Sequence, residues 1–129
     1  MKMVVVVARV LLGLIFLVFG LNGFFHFIPQ PAMPPGDAAT FIKVLATSGY
    51  VVPVFALQII GGVLLLVGRY VPLGITVLGP LVFNIFLFHA LLEPSGRPLA
   101  GFVALLWLLL LWFYRAYFAG LFTAKATPS

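Results

Sequence analysis

The sequence predicts an all-α membrane protein: a four-transmembrane-helix bundle with a short amphipathic interfacial helix between spans 1 and 2. Three observations predict it. Of its 129 residues, 64% are hydrophobic and only 7% charged, and the mean hydropathy is +1.29. A water-soluble domain of this size needs more polar surface than that. Four stretches have the apolarity and length of membrane spans, about 20 residues each at about 1.5 Å rise. No alternating strand pattern accompanies them, so backbone groups in lipid must pair within helices rather than around a barrel.

Each element follows in order within a single domain, residues 1–129. The first span is expected over Met3–Phe27. Its length, the Arg9 that interrupts it and the lack of an A-x-A site point to a retained helix rather than a cleaved signal peptide. The long connection, Ile28–Gly49, opens with the proline-rich IPQPAMPPGD, read as extended chain. Asp37 then has N-cap chemistry, and AATFIKVLATSG sets Phe41, Val44, Leu45 and Ser48 along one helical face closed by Gly49. A helix over 37–48 on the outer interface fits that pattern better than a loose loop. Span two is Tyr50–Val67, where Gln58, Gly61, Gly62 and Leu65 form a face that admits a close neighbour. Gly13, Gly20 and Gly23 do the same on span one. VGRYVP leaves almost no loop before span three, Val71–Leu92, in which Gly79–Pro80 invites a kink. LEPSGRP turns the chain into span four, Leu99–Phe122, whose Trp107, Trp112, Tyr114 and Tyr117 read as packing and interface-belt aromatics. Both turns are short enough to make consecutive spans antiparallel neighbours.

Charge sets orientation. With four spans, one side holds both termini and Lys2, Arg9, Arg69, Arg115 and Lys125; the other holds Lys43, Arg97, Asp37 and Glu93. The positive-inside rule puts the termini in the cytoplasm of a cell whose inner membrane the chain spans several times. The basic residues stand singly at helix ends, which fits anchoring to anionic headgroups of the lipid bilayer and not nucleic-acid binding. There is no cysteine, which excludes thiol–disulfide chemistry and cysteine-ligated metals, and no metal site is expected.

Against this apolar background the polar residues stand out. NIFLFHALLEP carries Asn84 and His89, and GLNGFFHFIP carries Asn22 and His26, each pair ahead of a proline. Counted from the outer span ends at about 1.5 Å per residue, Asn22, Gln58 and Asn84 fall roughly 10 Å below the surface, and His26 and His89 roughly 4–5 Å. Asn22 and His26, four apart, share a helical face; Asn84 and His89, five apart, sit about 140° from each other. Taken singly, an intramembrane amide is more often an interhelical hydrogen bond than a ligand, and a histidine near the interface can face headgroups and water. Together they define a candidate outer-leaflet pocket of His26, His89, Asn22, Gln58, Asn84, Phe25 and Phe88. The expected division has the amides tying the bundle together and the histidines, which can exchange a proton near neutral pH, facing the pocket. Arg9 is expected to snorkel to the headgroups.

RVLLGLIFLVFGLNGFFHFIPQPAMPP, followed by GGVLLLVGRYVPLGITVLGPLVFNIFLFH, resembles the DoxX-like family of small bacterial integral membrane proteins. The resemblance runs from Arg9 to about Tyr117 and is carried by the GLNGF, GG-x-LLL-x-GR-Y-VPL and N-x-x-x-FH pieces. It implies a four-helix bundle associated with respiratory and oxidative-stress chemistry, the family's namesakes being subunits of a thiosulfate:quinone oxidoreductase. An acidic residue is common in the family where Gln58 stands here, so a proton-carrying role is not expected at that position. Three classes remain open. One is a quinone-linked or accessory subunit of a membrane redox system, with a quinone among Phe24, Phe25, Phe86 and Phe88 and hydrogen-bonded by His26 or His89. The second is a non-catalytic subunit packed through its glycine faces against a larger membrane complex, or against copies of itself. The third is a small transporter or lipid-binding protein. Haem is the weaker cofactor idea, since nothing beyond the histidine pair favours it. No nucleophile–base or carboxylate pair supports autonomous catalysis.

Overall fold

The computed structural model describes residues 1–29 and 32–129. Gln30 and Pro31, inside the proline-rich stretch read as extended, lie outside the described residues. All regular structure among the described residues is helical: α1 (Lys2–Phe25), α2 (Asp37–Ser48), α3 (Val51–Val67), α4 (Val71–Leu87) and α5 (Arg97–Phe113). A π-helical turn, Phe88–Leu92, extends α4, and 3-10 turns cover Pro94–Gly96 and Arg115–Phe122. Three segments, Lys2–Phe25, Val71–Leu92 and Pro94–Phe113, are long and apolar enough to cross a membrane; a fourth is added if α2 and α3, which meet at 90°, count as one bent span.

Each long helix buries one stripe and leaves the rest of its circumference apolar and open. On α1 the buried stripe is Ala8, Leu12, Phe16 and Gly20, and on α4 it is Val71, Ile75, Leu78 and Val82. Outside the stripes, Leu14, Ile60, Leu73, Phe83 and Leu105 are exposed. Helices that are apolar all round need an apolar solvent, which is the physical case for a lipid environment. The helices form a ring: α1 packs on α3, α3 on α4, α4 on α5, and α5 closes back on α1.

The α1–α3 seam is the closest. A methyl group at Gly62 would stand 2.8 Å from Gly13 O and from Leu17 N, so only hydrogen fits there. At the same seam Arg9 donates from one guanidinium nitrogen to Leu65 O at 2.6 Å and Leu66 O at 3.3 Å. This corrects the snorkelling expectation. The guanidinium is drawn inward because the last turn of α3 leaves carbonyls without intrahelical donors. Gly68, in the left-handed region (φ 73°), ends that turn, and a methyl there would meet the Arg9 guanidinium at 2.6 Å.

Three boundaries differ from expectation. First, α1 stops at Phe25, not Phe27. His26 adopts the left-handed conformation (φ 51°, ψ 45°), and Asn22 Oδ1 accepts from Ile28 N at 2.7 Å. The asparagine side chain thus offers the chain a turn in place of another helical residue. Second, the helix expected to end at Phe122 runs from Arg97 to Phe113, and Tyr114 (φ −102°, ψ 11°) breaks it. Pro98, read as a loop residue, sits in the first helical turn, where a missing N–H costs nothing. Arg115 lies over the Trp112 ring at 4.0 Å and donates to Trp112 O at 2.7 Å, capping α5 there. Third, Asp37 is the first helical residue of α2 and not its N-cap; Gly36 holds that position, and Gly49 (φ 80°) closes the helix. No residue of α2 is buried; Ile42 and Ala46 border the cavity and Phe41 stacks on Phe88 at 5.7 Å, whereas Val44 and Ser48 of the expected face do not line the cavity.

Within α4, Pro80 supplies no N–H to the carbonyl one turn earlier. Trp107 Nε1 crosses from α5 to donate to Ile75 O at 2.9 Å, and its ring packs on Gly79. Trp107 is therefore a polar tie between helices as well as a packing residue.

Candidate functional site

A cavity of about 590 Å³ opens at the end of the bundle where α1 finishes, α3 begins, α4 passes into its π turn and α5 begins. Its walls are Phe16 and Phe19 from α1, Phe55 from α3, Ile85 from α4 and Val103 from α5. Ile42 and Ala46 of α2, with Met33, close it from above. Four polar side chains reach it: Asn22, His26, Gln58 and His89.

Their roles differ. Asn22 spends its oxygen on Ile28 N and keeps its amide N–H groups. Its bond also fixes His26 in a left-handed conformation that a non-glycine residue adopts at a cost of about 1–2 kcal/mol, and the exposed imidazole lies at the cavity rim. Gln58 is 7% exposed as a residue, and no hydrogen bond from its amide is found among the described residues; since no buried side-chain polar atom is left without a partner there, its amide atoms reach open space at the cavity. The amide of so buried a residue is ordinarily paired. This one lines the cavity.

His89 is the most constrained. The π turn, closed by Glu93 N donating to Phe88 O at 2.9 Å, carries the imidazole to the cavity wall. Its Nδ1 lies 3.1 Å from Glu93 O and 3.2 Å from Glu93 Oε2. Both neighbours are acceptors, so Nδ1 carries the proton, and in the neutral ring Nε2 is left as an acceptor. Glu93 is itself held. The Ser95 hydroxyl donates to Oε1, Ser95 N donates to it at 3.2 Å, and with His89 alongside these bonds keep the carboxyl below its ordinary range. Arg97 donates to His89 O at 3.3 Å and Ala90 O at 2.7 Å, satisfying carbonyls that the π turn leaves open. Gly96 makes room for the ring: a methyl group there would stand 2.1 Å from His89 Nδ1.

The remaining expected site residues are not in the cavity wall. Asn84 is exposed and donates to Pro80 O at 2.8 Å, within its own helix. The angle of about 140° to His89 separates the two, and the π turn begins after Asn84. Phe25 is 71% exposed, about 140° around α1 from the buried Gly20. Phe88 lies between Phe41 and His89, stacked on the first and edge-on to the second at 5.1 Å, so it buttresses the imidazole from behind. Of the expected division of labour, the histidine half agrees with the cavity lining and the amide half is corrected. Among the described residues none of the three amides bonds another of the long helices; Arg9 and Trp107 do that instead.

Sequence reasoning missed Phe16, Phe19 and Phe55 as walls, and Glu93, Ser95, Gly96 and Arg97 as supports of His89. The E-P-S-G-R run directly after His89 was the available signal, because a charged turn beside an imidazole supplies it with partners. No family model, curated protein or solved structure matches the chain, and the chemistry of the cavity carries the functional reading. Apolar aromatic walls with a few convergent polar groups suit a small amphipathic molecule.

Proposed function

We propose that this is a four-span protein of the inner membrane, with both termini cytoplasmic and α2 lying on the outer interface. In this reading α1, α3, α4 with its π turn, and α5 are the spans. The cavity binds a quinone-type molecule in the outer leaflet, and the protein serves as a quinone-linked or accessory subunit of a membrane redox system. One observation carries the reading. The amide of Gln58, a residue 7% exposed, has no protein partner among the described residues and faces a cavity of about 590 Å³ with aromatic walls. That volume lies within the roughly 300–1,000 Å³ usual for small-molecule sites. The resemblance to the DoxX-like family supports the redox context.

The test is extraction of gently purified protein followed by mass spectrometry of the organic phase, for the wild type and for Gln58→Leu. A near-stoichiometric quinone in the wild type, reduced severalfold in the variant, supports the reading. Equal background amounts in both remove it. A second reading, a structural subunit of a larger complex, draws on a different feature. Near the opposite end, Val4, Val7 and Leu11 of α1 and Phe102, Leu105 and Leu109 of α5 border an open groove of about 340 Å³ with no polar group to orient a ligand. Absence of quinone together with a stable larger assembly on native gels would favour that reading.

A further inference from the structure

We propose that the cavity selects an aromatic ligand bearing a hydroxyl donor, which His89 Nε2 accepts, and that Glu93 is the positioning residue holding the imidazole in the accepting tautomer. The proposal rests on the reading of the cavity as a ligand site and adds which form of ligand it prefers. The argument starts at Nδ1. Both atoms that face it, Glu93 O and Glu93 Oε2, are acceptors. A neutral ring with its proton on Nδ1 has a lone pair on Nε2. A hydroxyl of a phenol or hydroquinone satisfies that lone pair, whereas a quinone carbonyl or an ether oxygen leaves two acceptors facing each other.

The ring is held on its Nδ1 side and along one edge. Phe88 lies edge-on at 5.1 Å, Gly96 leaves space where any side chain would collide, and Arg97 binds the carbonyl of His89 itself. The charged or titratable groups around the site are Glu93 in the same turn, Arg97 from α5 and His26 from the end of α1; α2 and α3 contribute none to the cavity wall. An aromatic ligand is favoured over an alcohol on a flexible chain because Phe16, Phe19 and Phe55 present rings to the space.

The experiment uses the full chain in lipid nanodiscs, without oxygen. Binding of a short-tailed hydroquinone, of its quinone and of its dimethyl ether is measured by equilibrium dialysis. The hydroquinone should bind about tenfold more tightly than the other two, the size of one well-made hydrogen bond. In His89→Phe the three should bind alike, since apolar contacts survive and only the acceptor is lost. Gly96→Ala, which drives a methyl group into the ring, should erase the preference in the same way and stands in if His89→Phe does not fold. A merely structural role for His89 would weaken all three probes together and leave their ratio unchanged, which overturns the proposal. So does equal binding of the three probes to the wild type, although the cavity then still binds ligand. Failure of all three to bind overturns the reading of the cavity itself.

Discussion

Gln58 turns its amide to the cavity, where no group among the described residues bonds it, so the protein gains no hydrogen bond from it. Gln58→Leu should leave the unfolding free energy within about 0.5 kcal/mol while reducing bound ligand, because the amide makes no bond to the described residues and keeps access to the cavity. Denaturant unfolding in detergent measures the first effect; a larger loss of stability would show that the amide has a partner. Glu93 gives a pH signature. Its carboxyl is held low, so the folded state binds its proton more weakly than the unfolded chain does, and the stabilisation is present above the ordinary value of 4.5. It is lost as pH falls through the folded value. Thermal unfolding of wild type and Glu93→Gln should therefore differ at neutral pH, with the gap narrowing as pH falls below 4.5; a gap that is absent at neutral pH or that widens on acidification below 4.5 would contradict the pairing. At this scale the sequence identified which residues are polar in an apolar background, and four of them meet at one cavity. It did not identify their partners. Asn84 and Gln58 look alike in sequence, yet one bonds Pro80 O within its own helix and the other opens on the cavity with no partner among the described residues. That difference depends on which way a helix is turned.

Among the elements, the α1–α3 seam is the most sensitive to added volume. Gly62→Val should destabilise the bundle by about 2–3 kcal/mol, since its methyl groups meet backbone that cannot retreat without parting the helices. Unfolding in a graded detergent series would show it; tolerance within about 0.5 kcal/mol would mean the helices separate more easily than the geometry implies. Gly13, Gly61 and Gly62 were legible as contact glycines because small residues let helices approach in a membrane. The helix ends were less legible. Aromatic residues continue past Phe113 through Tyr114, Tyr117 and Phe118, which extended the expected span; the mark of the stop is Arg115, which interrupts that stretch and caps the helix. The π turn was not legible at all. Its wider backbone depends on Arg97, which takes the His89 and Ala90 carbonyls from the following helix.

For the molecule as a whole, the polar cavity lies at one end of the bundle and the Arg9 cap at the other. The proposed orientation puts the cavity outside. Because the chain has no cysteine, a single cysteine at Ser95 should react with an impermeant reagent on intact cells and one at Ser129 should not. The reverse pattern would invert the topology. The central claim is that the cavity, and not the apolar groove between α1 and α5, takes the ligand. Photo-crosslinking with an azido-quinone followed by peptide mapping tests it most directly. The account predicts label on Phe55 and its neighbours and on the α1 segment containing Phe16 and Phe19, with the label competed away by excess unlabelled hydroquinone. Label confined to Val4–Leu11 and Phe102–Leu109, or label that excess hydroquinone does not displace, would contradict it.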